Sequence, residues 1–138
     1  MGFTAERNTW GKQKEIDLQP VIQSFFNELL TPTADPTAKS DWVSDNWLVE
    51  LKSRTGKYNS TSFKTWWIPV CKFENLGGKN IAIFYYWDSD KTLWRLKYSP
   101  ERVAEYETDY PWDGYAASKQ LHYAIPASDF KLVKNLSV

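Results

Sequence analysis

Apolar side chains recur at helical spacing over residues 12–30, KQKEIDLQPVIQSFFNELL. Pro20 either kinks the helix that this spacing predicts or marks a start close to it. The apolar positions form one broad face, which is typical of a helix packed against a core: Ile16, Leu18, Val21, Ile22, Phe25, Phe26, Leu29 and Leu30.

The next part of the chain alternates between breaker residues and short apolar runs. The breaker cluster at 31–40 predicts a loop, and residues 40–44 and 47–53 predict two short strands. The polar stretch at 53–62 predicts a second loop. Residues 61–76 predict a helix closed by Gly77-Gly78, although Pro69 lies inside it.

The later part of the chain predicts a β-hairpin followed by short elements. Residues 80–87, NIAIFYYW, are β-branched and aromatic, and after a turn at 88–91 the chain returns as a strand at 92–98. Ser99 and Pro100 are typical of a helix start, so a short helix follows. The remaining segments predict a loop at 107–115, a helical turn at 116–121, a last strand at 121–126, and a terminal turn or short helix at 128–136.

This element order, α-β-β-α-β-β-α-β, predicts an α/β or α+β fold in which helices flank a mixed central sheet. A length of 138 residues suits a single domain. Formal net charge is zero, so any nucleic-acid surface must come from local segregation of charge. The single Cys71 and single His122 exclude an internal disulfide, a Cys-His nucleophile pair and a His-rich zinc site. No apolar run is long enough to span a membrane, and we expect a soluble, cytoplasmic protein.

Two charged residues inside a predicted strand, Glu50 and Lys52, are candidate catalytic residues. If Asp45 and Asn46 form the hairpin turn, Asp41 lies opposite Glu50 and shares its face. Like charges in facing positions are destabilising, and a Mg²⁺ ion with oxygen ligands would compensate them. Side chains alternate along a strand, so Lys52 lies on the face of Glu50, while Val49 and Leu51 point the other way. Two carboxylates and a lysine suit metal-assisted phosphodiester hydrolysis, whereas the alternative is an ordinary surface hairpin with a Glu-Lys neighbourhood.

The spacing of Asp41 to Glu50-Leu51-Lys52 resembles the D…(D/E)xK signature of the PD-(D/E)xK nuclease superfamily, except that Ser40 stands where the signature has proline. The stretch GKQKEIDL at 11–18 resembles the first-helix element of archaeal Holliday-junction resolvases, and Glu15 matches its glutamate. The resemblance covers residues 11–87 and leaves the aromatic-rich part, 88–138, without a counterpart.

The resemblance implies a restriction-endonuclease-like core and a Mg²⁺-dependent DNA endonuclease, with Mn²⁺ as the substitute ion. It implies metal ligation by Asp41, Glu50 and the Leu51 carbonyl, a role for Lys52 with water and phosphate, and an approach of Glu15 to the metal. For Glu15 the alternative is a solvated residue in a first helical turn. Junction-resolving enzymes of this kind cut two strands, so a homodimer is expected.

A basic segment begins at the predicted catalytic strand. Between residues 52 and 79 the six basic residues outnumber the single acid, Glu74. Phosphate contacts are needed there in a DNA enzyme, although the lysines could equally be solvated. The candidate DNA-binding residues are Arg54, Lys57, Tyr58, Lys64 and Lys72. Two other functions fit the sequence: a site-specific homing or restriction-type endonuclease, and a non-catalytic, aromatic-rich module that binds protein or carbohydrate.

Overall fold

The computed structural model describes residues 2–33, 40–73, 77–98, 100–110 and 121–136. Two α-helices and nine strands lie in these ranges, together with 3₁₀ turns at Val70–Phe73 and Ala127–Asp129. The helices and strands are α1 (Gly2–Gln23), β1 (Thr31–Pro32), β2 (Trp42–Val43), β3 (Trp47–Arg54), β4 (Thr65–Pro69), β5 (Asn80–Trp87), β6 (Thr92–Tyr98), α2 (Pro100–Val103), β7 (Thr108–Asp109), β8 (His122–Pro126) and β9 (Lys131–Asn135).

The strands form two sheets. Six of them make a sheet in the order β1-β2-β3-β5-β6-β9, and three make a second sheet in the order β4-β8-β7. The β3–β5 pair is parallel and its neighbours are antiparallel, so the large sheet is mixed, as the sequence predicts. The expectation of flanking helices holds for one face only: α1 covers that face, and the second sheet covers the other.

Alternation along β5 separates two hydrophobic cores. Phe84 and Tyr86 pack on the α1 side with Val49 and Leu51 of β3. Ile83 and Tyr85, with their alternating neighbours, pack on the side of the three-stranded sheet. Every residue from Ile81 to Trp87 is buried, which explains why this strand is apolar throughout rather than alternating.

The predicted helix at 61–76 is wrong. Residues 65–69 form β4, in which buried Trp66 and Ile68 alternate with half-buried Thr65 and Trp67. That period of two matches a strand, and β4 pairs antiparallel with β8. Only the short turn Val70–Phe73 is helical, of 3₁₀ type, before the glycine pair at 77–78.

The chain also departs from prediction at both ends. The first helix ends at Gln23 instead of residue 30. The Gln23 side chain then stabilises the loop that follows. Its Oε1 accepts a hydrogen bond from the Leu30 N–H at 2.8 Å, and its Nε2 donates one to the Glu28 carbonyl at 2.9 Å. Residues 131–135, expected in a turn or short helix, form β9 on the edge of the large sheet, so β8 is not the last strand. Within the loop predicted at 107–115, residues 108–109 form the short β7, while 111–115 and the helical turn expected at 116–120 lie outside the described residues.

Candidate functional site

The β2–β3 hairpin has the register that the sequence predicts. Trp42 pairs with Val49, Val43 pairs with Leu48, and the Ser44 N–H donates to the Trp47 carbonyl at 3.0 Å. Asp45 and Asn46 therefore occupy the turn, and both are exposed.

Two charged side chains hold this turn from outside. Oε1 of Glu28 accepts hydrogen bonds from the Ser44 hydroxyl and, at 2.9 Å, from the Asn46 N–H, and its Oε2 accepts one from Asn46 Nδ2 at 2.8 Å. These bonds, that of Ser44 first, lower the pKa of Glu28. Lys79 Nζ donates to the Ser44 and Asp45 carbonyls. The turn is consequently anchored, and Asp45 has a structural setting distinct from that of Asp41.

Asp41 lies at the open edge of β3, immediately before β2. Its N–H donates to the Val49 carbonyl at 2.9 Å, which extends the hairpin by one bond. Its Oδ2 accepts the Leu51 N–H at 2.8 Å, where β2 no longer covers the strand. The N–H and C=O groups of one strand residue project to the same side, so the Leu51 carbonyl faces this edge as well.

Glu15 reaches Asp41 from helix α1. Its pKa is raised to about 7, first by burial, then by the negative charge of Asp41 and by a hydrogen bond with that carboxylate. Lys12 lies one helical turn earlier, with its Nζ 3.4 Å from Glu15 Oε2. Its positive charge lowers the Glu15 pKa and so offsets part of the increase. The first-helix glutamate singled out by its sequence context is thus the one that meets Asp41.

Glu50 and Lys52 project from the opposite face of β3. They pair with Ile83 and Tyr85, whose side chains belong to the core beneath the three-stranded sheet. Glu50 is only 9% exposed. Val49 and Leu51 face α1, so the predicted alternation along this strand is confirmed. Glu15 and Glu50 accordingly approach β3 from different sides, with Asp41 at the edge between them.

A divalent ion fits part of this arrangement. Among the residues that the structure describes, no three carboxylate, imidazole or thiol side chains form a group that could hold a metal. Mg²⁺, however, commonly uses one or two protein carboxylates and completes its shell with water and phosphate. The Glu15–Asp41 pair supplies two such carboxylates; burial is the first cause of the raised Glu15 pKa, and the second is the Asp41 charge, which a cation would neutralise.

The predicted DNA-binding residues begin at the last residue of β3, Arg54. Arg54 donates from Nε to the Tyr85 hydroxyl at 3.0 Å, and its guanidinium carbon lies 5.8 Å from the Tyr85 ring centre. Lys57 lies 5.2 Å from the ring centre of Tyr58, and both are exposed. Lys64 is exposed at the start of β4, whereas the side chain of Lys72 lies outside the described residues.

An aromatic pocket, not anticipated from the sequence, lies beside these residues. Its volume is about 250 Å³. Half-exposed Tyr58 and Phe63 form its rim, and buried aromatic side chains of β4 and β5 form its floor. The sequence feature that could have indicated the pocket floor is the alternation of residues 65–68, which is typical of a strand. The helical interpretation of this segment obscured it.

Comparison of the chain with protein-family models, curated proteins and solved structures finds no match. The resemblance to PD-(D/E)xK nucleases therefore rests on the residues named above. No helix in the described ranges is long and apolar enough to cross a membrane.

Proposed function

We propose that this protein is a metal-dependent DNA endonuclease with a restriction-endonuclease-like core, selective for branched DNA in the manner of a junction resolvase. The observation that carries the proposal is the Glu15–Asp41 carboxylate pair at the edge of the strand that bears Glu50-Leu51-Lys52. Two carboxylates in contact, beside a strand with a third carboxylate and a lysine, suit hydrolysis of a phosphodiester bond better than they suit a stable surface hairpin.

The residues divide into three roles in this proposal. Asp41, Glu50 and the Leu51 carbonyl would hold Mg²⁺ or Mn²⁺, and Glu15 would approach the ion from α1. The ion supplies Lewis acidity toward the phosphoryl group and lowers the pKa of water. The Leu51 N–H fixes the orientation of the Asp41 carboxylate. Lys52 offsets phosphate charge and orients the attacking water.

The polar loop that follows β3 supports DNA as the substrate. Arg54, Lys57 and Lys64 lie close together in the chain, and the last two are exposed. Phosphate contacts by such residues position a nucleic acid without reading its sequence, which fits selection by shape. Because resolving a junction requires two cuts, the active form in this proposal is a homodimer, which sedimentation of the protein bound to a junction would reveal.

Cleavage assays test the proposal. Wild type is incubated with a four-way junction and a linear duplex, with Mg²⁺, Mn²⁺ or EDTA, beside Asp41→Asn, Glu50→Gln and Lys52→Ala. We expect divalent-dependent cutting of the junction and a loss of at least about 100-fold in rate for each variant. Asp45→Asn, which makes the same chemical change in the neighbouring turn, is the control and should cut as wild type does.

Two results would contradict the proposal. One is an absence of cleavage with either ion, and the other is normal cleavage by Asp41→Asn and Lys52→Ala. Preferred cutting of one linear sequence over the junction would instead indicate a homing or restriction-type endonuclease. The non-catalytic binding module remains the second candidate, and the aromatic pocket is the observation that favours it.

A further inference from the structure

The aromatic pocket lies along the strand that carries the proposed catalytic residues. Arg54, on its wall, follows Lys52 by two positions in β3, and both pair with residues of β5 that face the three-stranded sheet. Two strand residues span about 7 Å. The pocket therefore begins beside the lysine to which the proposed function assigns a phosphate contact.

Aromatic rings in tilted contact with one another dominate the pocket. The rim rings of Tyr58 and Phe63 lie 4.9 Å apart between centres, and Phe63 lies 6.3 Å from Trp87. On the floor, Trp66 lies 4.9 Å from Tyr85 and 5.4 Å from Trp87. The rim residues are 49% and 45% exposed, so two aromatic faces remain accessible at the mouth of the pocket. Such a surface binds flat, aromatic ligands.

Polar donors accompany the rings. The indole Nε1 groups of Trp66 and Trp87 are buried and have no hydrogen-bond acceptor among the described residues. Both atoms lie beneath the accessible surface, so they are not exposed to a ligand in the pocket. Arg54 contributes a guanidinium to the wall, and the hydroxyls of Thr55 and Thr65 also line the pocket. A ligand with a flat aromatic body and a negative charge would therefore complement the rings and Arg54.

We propose that this pocket binds one unpaired nucleobase of the DNA substrate, with the adjoining phosphate at Arg54 and Lys57. The proposal rests on the proposed function for the choice of DNA and deepens it by naming the feature that is recognised. A base stacks on the exposed rings of Tyr58 and Phe63, and its phosphate meets Arg54 on the pocket wall and the exposed Lys57 nearby in the chain. Junctions and flaps offer unpaired or easily unstacked bases, which an intact duplex does not.

Fluorescence anisotropy in EDTA tests this without requiring cleavage. The probes are a fluorescein-labelled oligothymidylate and a blunt duplex of matched length. We expect Tyr58→Ala and Phe63→Ala each to bind the single strand about 5- to 100-fold more weakly than wild type, with little change for the duplex. Tyr58→Phe should restore binding, because it keeps the ring. Tyr110→Ala removes a tyrosine that is 55% exposed outside the pocket and is the matched control.

The outcomes separate the pocket from the active site. Unchanged single-strand binding by both alanine variants, or equal losses for single strand and duplex, overturns the pocket proposal while leaving nuclease activity intact. If wild type cuts nothing yet binds the single strand through Tyr58 and Phe63, the nuclease assignment fails and the pocket stands. Binding of an apolar peptide in place of the oligonucleotide would also overturn the proposal.

Discussion

At the scale of single residues, the contact between Glu15 and Asp41 links the candidate site to stability. A glutamate in the unfolded chain titrates near pH 4.5, whereas folded Glu15 keeps its proton up to about pH 7. The folded state therefore binds more protons between these values, so this pair stabilises the fold least at high pH. Protein stability is given up for a local concentration of negative charge, as is common at functional sites.

Replacing Glu15 by glutamine should remove this contribution to the pH dependence of stability. Without divalent ions, we expect Glu15→Gln to be close to wild type in free energy of unfolding at pH 5 and about 1 kcal/mol more stable at pH 8, a value discounted for solvent screening. Urea unfolding at both pH values measures this. Asp41→Asn should reduce the wild-type pH dependence in part, since burial, the first cause of the raised Glu15 pKa, remains when the Asp41 charge is removed. If Glu15→Gln and wild type differ in free energy of unfolding by the same amount at pH 5 and at pH 8, the raised Glu15 pKa is disproved.

At the scale of elements, β4 shows how local pattern and tertiary context compete. TSFKTWWIPVCKF has apolar residues that satisfy helical spacing and alternation alike, so the sequence alone favours neither strongly. Pairing with β8 decides for the strand, because it buries Trp66 and Ile68 against β5. The C-terminal segment follows the same logic: β9 forms because the edge of β6 is available to it.

The pairing registers of the two β-hairpins were predictable because each is set by a local turn. Asp45-Asn46 fixes the turn of the β2–β3 pair, and DSDK fixes that of β5–β6, so each register follows from counting outward. The parallel pairing of β3 with β5 and the separation into two sheets depend on contacts distant in sequence, and no local signal encodes them.

Truncation of Trp66 tests the importance of β4. This side chain is 2% exposed and contacts the rings of Tyr85, Trp87, Trp94 and Phe130. We expect Trp66→Ala to lower the free energy of unfolding by about 3–5 kcal/mol, and Trp66→Phe by less. Leu132→Ala, at an exposed position of β9, should change stability by no more than about 0.5 kcal/mol. Urea denaturation provides the comparison, and an equal cost for Trp66→Ala and Leu132→Ala would contradict the described packing.

At the scale of the whole molecule, zero net charge conceals an uneven distribution. The basic residues of 52–79 follow the candidate catalytic strand, and acidic residues predominate later in the chain. In the proposed function, binding to DNA would then depend mainly on residues 52–79, with the later acidic segment contributing little attraction.

Salt dependence measures that asymmetry. For binding to a four-way junction in EDTA, we expect Lys57→Gln to reduce the slope of log K against log salt concentration by about 1. Lys131→Gln, on the far edge strand β9, should leave the slope unchanged. Equal reductions in the two variants, measured by anisotropy titration over a range of KCl concentrations, would show that charge acts without regard to position.

The candidate site was only partly accessible to sequence reasoning. Counting along the hairpin places Asp41 and Lys52, and sequence context singles out Glu15, because these relations are local or carried by a motif. The pocket required the tertiary fold, since its walls come from the loop after β3, from β4 and from β5.

The parallel pairing of β3 and β5 also constrains how the protein folds. Parallel neighbours need a long crossover, and here residues 55–79 provide it, with β4 placed in the other sheet. The strand that carries Glu50 and Lys52 thus finds its central partner only when the chain has closed this loop, at an entropic cost. The same loop supplies the rim of the pocket. We therefore expect the candidate catalytic strand and the pocket to assemble together, in one non-local step of folding.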